Sequence, residues 1–123
     1  MLRRVLVKIS GEALAVDEGG KARGLAEESI SRLLSQIVEA TAVGAQIGIV
    51  LGGGNILRGR DLDLPAVRRP VRDRMGMLAT VVNALAAADS LIAAGQPAVV
   101  LTATPMPGVA EHFRMETARE YLE

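Results

Sequence analysis

Apolar residues in this chain gather into three short continuous runs and two longer stretches with helical spacing. Val5-Leu6-Val7-Lys8-Ile9 is β-branched and apolar and ends in Ser10-Gly11, which predicts a buried parallel strand. Ala15 to Gly24 is rich in glycine and charge and reads as a loop. From Ala26 to about Ala42, Ile30, Leu33, Leu34, Ile37 and Val38 recur at helical intervals and form one apolar stripe. Gly44 is placed to end that helix. Gln46 to Leu51 predicts a second buried strand. A polar, arginine-rich stretch then runs from Arg58 to Arg74, broken by Pro65 and Pro70. Met75 to about Ala94 is apolar almost all round, which predicts a long helix buried on several sides, with a partner subunit as one possible cover. Gly95 ends it, and Ala98 to Leu101 predicts a third strand. Pro105, Pro107 and Gly108 make a turn before a last helix from Glu111 to Leu122. The order β-α-β-α-β-α predicts an α/β fold with a parallel sheet and right-handed crossovers. There is no internal repeat or low-complexity tract.

Composition narrows the function classes. The chain has 123 residues, one domain's worth, of which half are hydrophobic and 23% charged. Fourteen basic residues balance fourteen acidic ones, so no global field draws the chain to nucleic acid or to a membrane surface. Tyr121 and Phe113 are its only aromatic residues, too few for a base-stacking platform. With no cysteine, disulfides and thiolate metal sites are excluded, and His112 has no Cys or His partner for a metal. No metal ligand is therefore assigned. The start, Met1-Leu2-Arg3-Arg4, lacks a signal-peptide run, and no segment reads as a membrane span, so a cytoplasmic protein is expected.

The candidate chemistry lies at the carboxyl ends of the expected strands, where open parallel sheets bind ligands. Gly52-Gly53-Gly54-Asn55-Ile56-Leu57-Arg58-Gly59 follows the second strand. Glycines let the backbone approach an anion closely, and an arginine downstream can grip a phosphate with two donors. The segment reads as a phosphate-binding turn in preference to a plain strand-to-helix turn. It is neither a Walker A loop nor the Rossmann fingerprint, because the glycine and lysine spacings differ. Lys8 closes an otherwise apolar strand. It suits a site where charge grows during phosphoryl transfer, but alone it reads better as an edge lysine reaching water. Asp73 lies just before the long helix. A helix cap, or a favourable charge at the positive end of the helix dipole, is the leading reading there, and a carboxylate accepting ribose hydroxyls the alternative. Arg68, Arg69, Arg72 and Arg74 read as a solvated basic loop.

Three segments together resemble the bacterial uridylate kinases (UMP kinases) of the amino-acid-kinase superfamily. They are Lys8-Ile9-Ser10-Gly11-Glu12-Ala13, the glycine turn through Gly59, and Asp73-Arg74-Met75-Gly76-Met77-Leu78-Ala79-Thr80-Val81-Val82-Asn83-Ala84-Leu85-Ala86. Pro105-Met106 and Val109-Ala110-Glu111 continue the match. The resemblance implies a three-layer α/β/α parallel-sheet core, here truncated. Residues 1–123 would be its N-terminal, UMP-binding part, with the C-terminal ATP-binding part absent. The implied reaction moves the γ-phosphoryl of ATP, carried with Mg2+, to UMP to give UDP, a step of pyrimidine nucleotide biosynthesis. By resemblance, Lys8 contacts the transferring phosphoryl group, and Ser10, Gly11 and Gly54 join it at the ATP phosphates. Gly53, Gly54, Arg58 and Asp73 hold UMP. The chain alone is expected to be inactive and to form a homo-oligomer, hexameric in the family. Two alternatives stand beside this reading: a non-catalytic nucleotide-binding or assembly module, and another phosphotransferase of the same superfamily.

Overall fold

The computed structural model describes residues 3–57 and 64–123. Strand β1 spans Arg4–Ile9, β2 Val16–Glu18 and β3 Lys21–Arg23, followed by helix α1 over Glu27–Ala42. Then come β4 (Gln46–Leu51), α2 (Arg69–Ala93), β5 (Leu101–Thr102), β6 (Glu111–His112) and α3 (Met115–Leu122). β1 and β4 pair in parallel, with Lys8 opposite Val50 and Ile9 opposite Leu51, so the two strands end level. Their carboxyl ends open into a short 3-10 turn, Gly11–Leu14, and into the triple glycine.

The core lies on one face of this pair. Leu14, Ile30 and Leu34 meet Ala87 and Leu91, with Ile49 and Leu51 of β4 packed against them. The stripe on α1 thus faces α2 and β4, as its spacing requires. Glu27 and Glu28 sit in the first turn of α1, where negative charge suits the helix dipole. Ala26 N–H donates to Leu14 O at 2.8 Å and Ser29 Oγ to Ala15 O at 3.0 Å, which ties the start of α1 to the turn after β1. Gly44 and Gly95, at φ +93° and +85°, end α1 and α2 in the left-handed region.

Several expectations change. β1 is not buried on both faces: Val5, Val7 and Ile9 turn inward while Leu6 is 75% exposed and Lys8 is exposed. The alternation shows that only one face of the pair is covered, whereas parallel strands are normally covered on both. Residues 15–24 are not a plain loop but contain the hairpin β2–β3. Gly19-Gly20, both at positive φ, make its two-residue turn, and Asp17 Oδ1 accepts Gly20 N–H at 3.0 Å. The third strand is displaced to Leu101–Thr102 and pairs with β6 rather than with β4 among the described residues. Glu111 and His112 belong to that pair, so the last helix starts only at Met115.

The long helix starts earlier than its apolar pattern, at Arg69. Pro70 falls in the first turn, where its missing N–H costs nothing. At 25 residues α2 is also long and apolar enough, by length and composition alone, to cross a bilayer, which corrects the expectation that no segment reads as a membrane span. Here it packs Ala79, Val81, Asn83, Ala87 and Leu91 inward instead. A core helix of a soluble domain meets the same criterion.

Candidate functional site

The site is built where β1 and β4 end together. Gly52 N–H donates to Ile9 O at 2.9 Å, which continues the ladder one residue past β4 and draws the triple glycine against Ser10-Gly11. The packing there excludes side chains. A Cβ on Gly11 would overlap Asn55 Oδ1 and lie 2.9 Å from Gly52 O and 3.0 Å from Gly54 N. A Cβ on Gly53 would lie 2.9 Å from the Ala79 methyl and 3.1 Å from Thr80 N, both on α2. A Cβ on Gly54 would come nearest the Glu12 carboxylate, at 2.7 Å. The first two clashes involve fixed atoms and the third a side-chain tip. Glycine is therefore needed for close approach, as a backbone that must come near a ligand or another backbone requires.

The chain beyond the turn folds back on itself: Ile56 N–H and Leu57 N–H both donate to Gly53 O, at 3.1 and 3.0 Å. Among the described residues the N–H groups of Gly53 and Gly54 have no protein acceptor. Two adjacent amide donors thus stand at the end of a parallel strand, with the Glu12 carboxylate close to Gly54. Beside them Ser10 Oγ donates to the Glu12 carboxylate. Two buried amides hold the turn from behind. Asn83 Nδ2 donates to Gly52 O at 2.7 Å and to Asn55 Oδ1 at 2.7 Å. Asn55 Nδ2 donates to Asn83 Oδ1 at 3.1 Å and to Gly24 O at 2.7 Å.

The site residues expected from the sequence fall as follows. Ser10, Gly11, Gly53 and Gly54 come together at this junction, and Lys8 stands one residue before the end of β1, opposite Val50. Lys8 is exposed, on the uncovered side of the pair with Leu6. Asp73 is exposed in the second turn of α2, and the N-cap position belongs to Arg68, so capping does not account for Asp73. Arg58 lies outside the described residues. Asn83 was missed. Its signal was present: Ala79, Asn83, Ala87 and Leu91 recur every four residues on the inward face of α2, and an amide in that row asks for buried partners.

Two hollows lie along the β1–β4 pair, at its opposite end and beside β4. The larger, about 700 Å³, is lined by Arg3, Arg4, Gly44 and Gln46 at the amino ends of β1 and β4. The smaller, about 270 Å³, runs between the free edges of β4 and β5 over Met77, Thr80 and Val81 of α2. Ligands of open α/β sheets sit beyond the carboxyl ends of strands, so the smaller one is better placed despite its size.

The amino acid kinase family model matches residues 3–123. The chain is 45% identical over 120 residues to a uridylate kinase of Nitrobacter winogradskyi, covering 98% of this chain and 49% of that protein. It is 45% identical over 121 residues to a uridylate kinase of Parabacteroides distasonis, at 98% and 50% coverage. Among solved structures it superposes on the UMP kinase of Bacillus anthracis with a TM-score of 0.89 and 30% identity, covering 98% of this chain and 48% of that one. The UMP kinase of Ureaplasma parvum gives a TM-score of 0.85 at 29% identity, with 100% and 52% coverage. The chain thus spans about half the length of the relatives it matches. Since the glycine turn, the Ser10-Gly11 turn and the long helix all lie within the matched residues, the chain belongs to the amino acid kinase family.

Proposed function

We propose that this chain is the acceptor half of a uridylate kinase: it binds UMP and presents its phosphate for phosphorylation by ATP. The observation that carries this reading is the pair of unpaired amides, Gly53 and Gly54, fixed beyond the level ends of β1 and β4. Similarity to proteins named uridylate kinase supports UMP as the acceptor. In this reading the two amides, with Arg58, hold UMP phosphate oxygens, and Asp73 accepts ribose hydroxyls. Lys8 meets the transferring phosphoryl group, with Ser10, Gly11 and Gly54 at the ATP phosphates. Such a site positions its reactants and stabilises charge, and needs no covalent intermediate. Mg2+ would arrive on ATP. Mg2+ keeps several of its waters and is commonly held through substrate phosphates, which suits a metal carried in on ATP. Bound there, Mg2+ would neutralise phosphate charge. We place the protein in the cytoplasm as a homo-oligomer of the hexameric type.

The test is titration calorimetry of the chain with UMP, with AMP as control. Saturable binding of UMP and none of AMP is expected; equal or absent binding of both overturns the acceptor assignment. A second reading is a nucleotide-binding module without turnover. In a coupled ADP-release assay, UMP-dependent turnover by the isolated chain excludes this second reading.

A further inference from the structure

The amide pair behind the glycine turn has a consequence for the direction of a single peptide bond. Asn83 is fully buried and Asn55 is 5% exposed. Burying an amide costs free energy unless its hydrogen bonds are made, and here both side chains are used from both ends. Asn83 Nδ2 reaches Gly52 O at 2.7 Å and Asn55 Nδ2 reaches Gly24 O at 2.7 Å. Both amides must face these carbonyls with nitrogen, since the flipped orientation would set oxygen against oxygen. The orientation of the pair is therefore determined by its partners. Gly24 N–H in turn donates to Asn55 O at 2.9 Å, which closes the junction on the segment after β3.

Gly52 O shares its peptide plane with Gly53 N–H. In a planar trans peptide the carbonyl and the N–H point in opposite directions. Holding Gly52 O toward α2 therefore turns Gly53 N–H away from α2, outward from the core. With glycine on both sides, this plane has unusual freedom to rotate. A rotation of half a turn would present the carbonyl where the N–H stood, and a carbonyl repels a phosphate.

We propose that Asn83, braced by Asn55, is a positioning residue that locks the Gly52–Gly53 peptide with its N–H directed at the phosphate of the bound nucleotide. This rests on the acceptor reading above. The residue acts through the backbone and touches no substrate. Asn55 ties the same lock to Gly24, so the hairpin β2–β3 and α2 brace the turn from two sides.

The variants are Asn83→Leu and the double variant Asn55→Leu with Asn83→Leu. The single variant leaves Gly52 O and Asn55 Oδ1 without their donor, while Asn55 Nδ2 keeps Gly24 O, and it can fail to fold. The double variant removes the mutual pair together, so no buried side-chain amide is left half-bonded, and only the backbone carbonyls Gly52 O and Gly24 O lose their side-chain donors. Each folded variant is titrated with UMP and with uridine, and the amide resonances of Gly53 and Gly54 are recorded without ligand. UMP affinity is expected to fall about tenfold, the worth of one oriented hydrogen bond to a charged group, while uridine affinity stays within a factor of about two. The Gly53 resonance should broaden or double as the peptide samples both orientations. A folded variant that binds UMP like the parent, or loses UMP and uridine alike, overturns the inference. If the parent chain itself binds no UMP, the acceptor reading fails and the resonances decide: a sharp single Gly53 amide in the double variant overturns the lock, and a broadened one upholds it.

Discussion

A methyl group added at adjacent glycines of the turn should have unequal effects. At Gly53 it would press on the Ala79 methyl and Thr80 N, atoms fixed in α2. Gly53→Ala is expected to lower stability by roughly 1–3 kcal/mol and to displace the turn. At Gly54 the three nearest atoms all belong to the Glu12 side chain, whose end yields more readily than backbone, so Gly54→Ala should cost less. Urea unfolding of both variants checks the order, and equal losses would contradict it. Tyr121 offers a separate test. Its hydroxyl donates to Glu111 Oε2 at 2.6 Å, and this bond, with some burial and the nearby Glu111 and Glu120 charges, raises its pKa above the usual value. The neutral phenol is favoured in the fold, so its contribution is full below the unfolded pKa of about 10 and is lost as pH rises through the folded value. As the only tyrosine, it can be followed by phenolate absorbance, whose midpoint should drop toward the free value in Glu111→Gln. At this scale the glycines were legible because three in a row have few other uses. Asn83 was not, because its partners lie 28 and 31 residues away in the chain.

At the scale of elements, α2 does most to organise the molecule. It forms the back of the glycine turn through Ala79, completes the core through Ala87 and Leu91, and carries Asp73 near its start. Gly76 lies inside it, and a Cβ there would touch nothing within 4 Å. Glycine in a helix interior is less favourable than alanine by about 1 kcal/mol, so Gly76→Ala should raise the melting temperature by a few degrees. A lower melting temperature would show that Gly76 meets a constraint beyond the helix itself. In α1, Leu34 is buried against α2, and Leu34→Ala should cost roughly 2–5 kcal/mol in urea unfolding. The helices were legible from period and polarity, and Gly44 and Gly95 marked their ends. The hairpin β2–β3 was not, because its strands are three residues each and carry charge in place of an apolar alternation.

At the scale of the whole molecule, much apolar surface lacks a cover. Leu78, Val82, Leu85 and Ile92 are 39–53% exposed along α2, and Leu6 stands out from the bare side of β1. β4 and β5 each leave an edge unpaired across the slot between them, among the described residues. Exposed apolar stripes and free strand edges both promote association. The chain is expected to self-associate in light scattering, and Val82→Lys should shift it toward the monomer. A monodisperse monomer of the unaltered chain would count against this.

What the sequence determined by itself was local. Apolar runs and helical spacing specified the α/β class and the two long helices, and the glycine triplet marked the tight turn after β4, because each signal lies within a few residues of chain. What the tertiary structure decided was which faces are covered and which groups meet. It paired β5 with β6, left one side of β1 bare, moved Asp73 off the helix cap, and brought Asn55 and Asn83 together behind the turn. Those outcomes depend on hydrogen-bond partners and packing surfaces far apart in the chain, and no local pattern of residues encodes them.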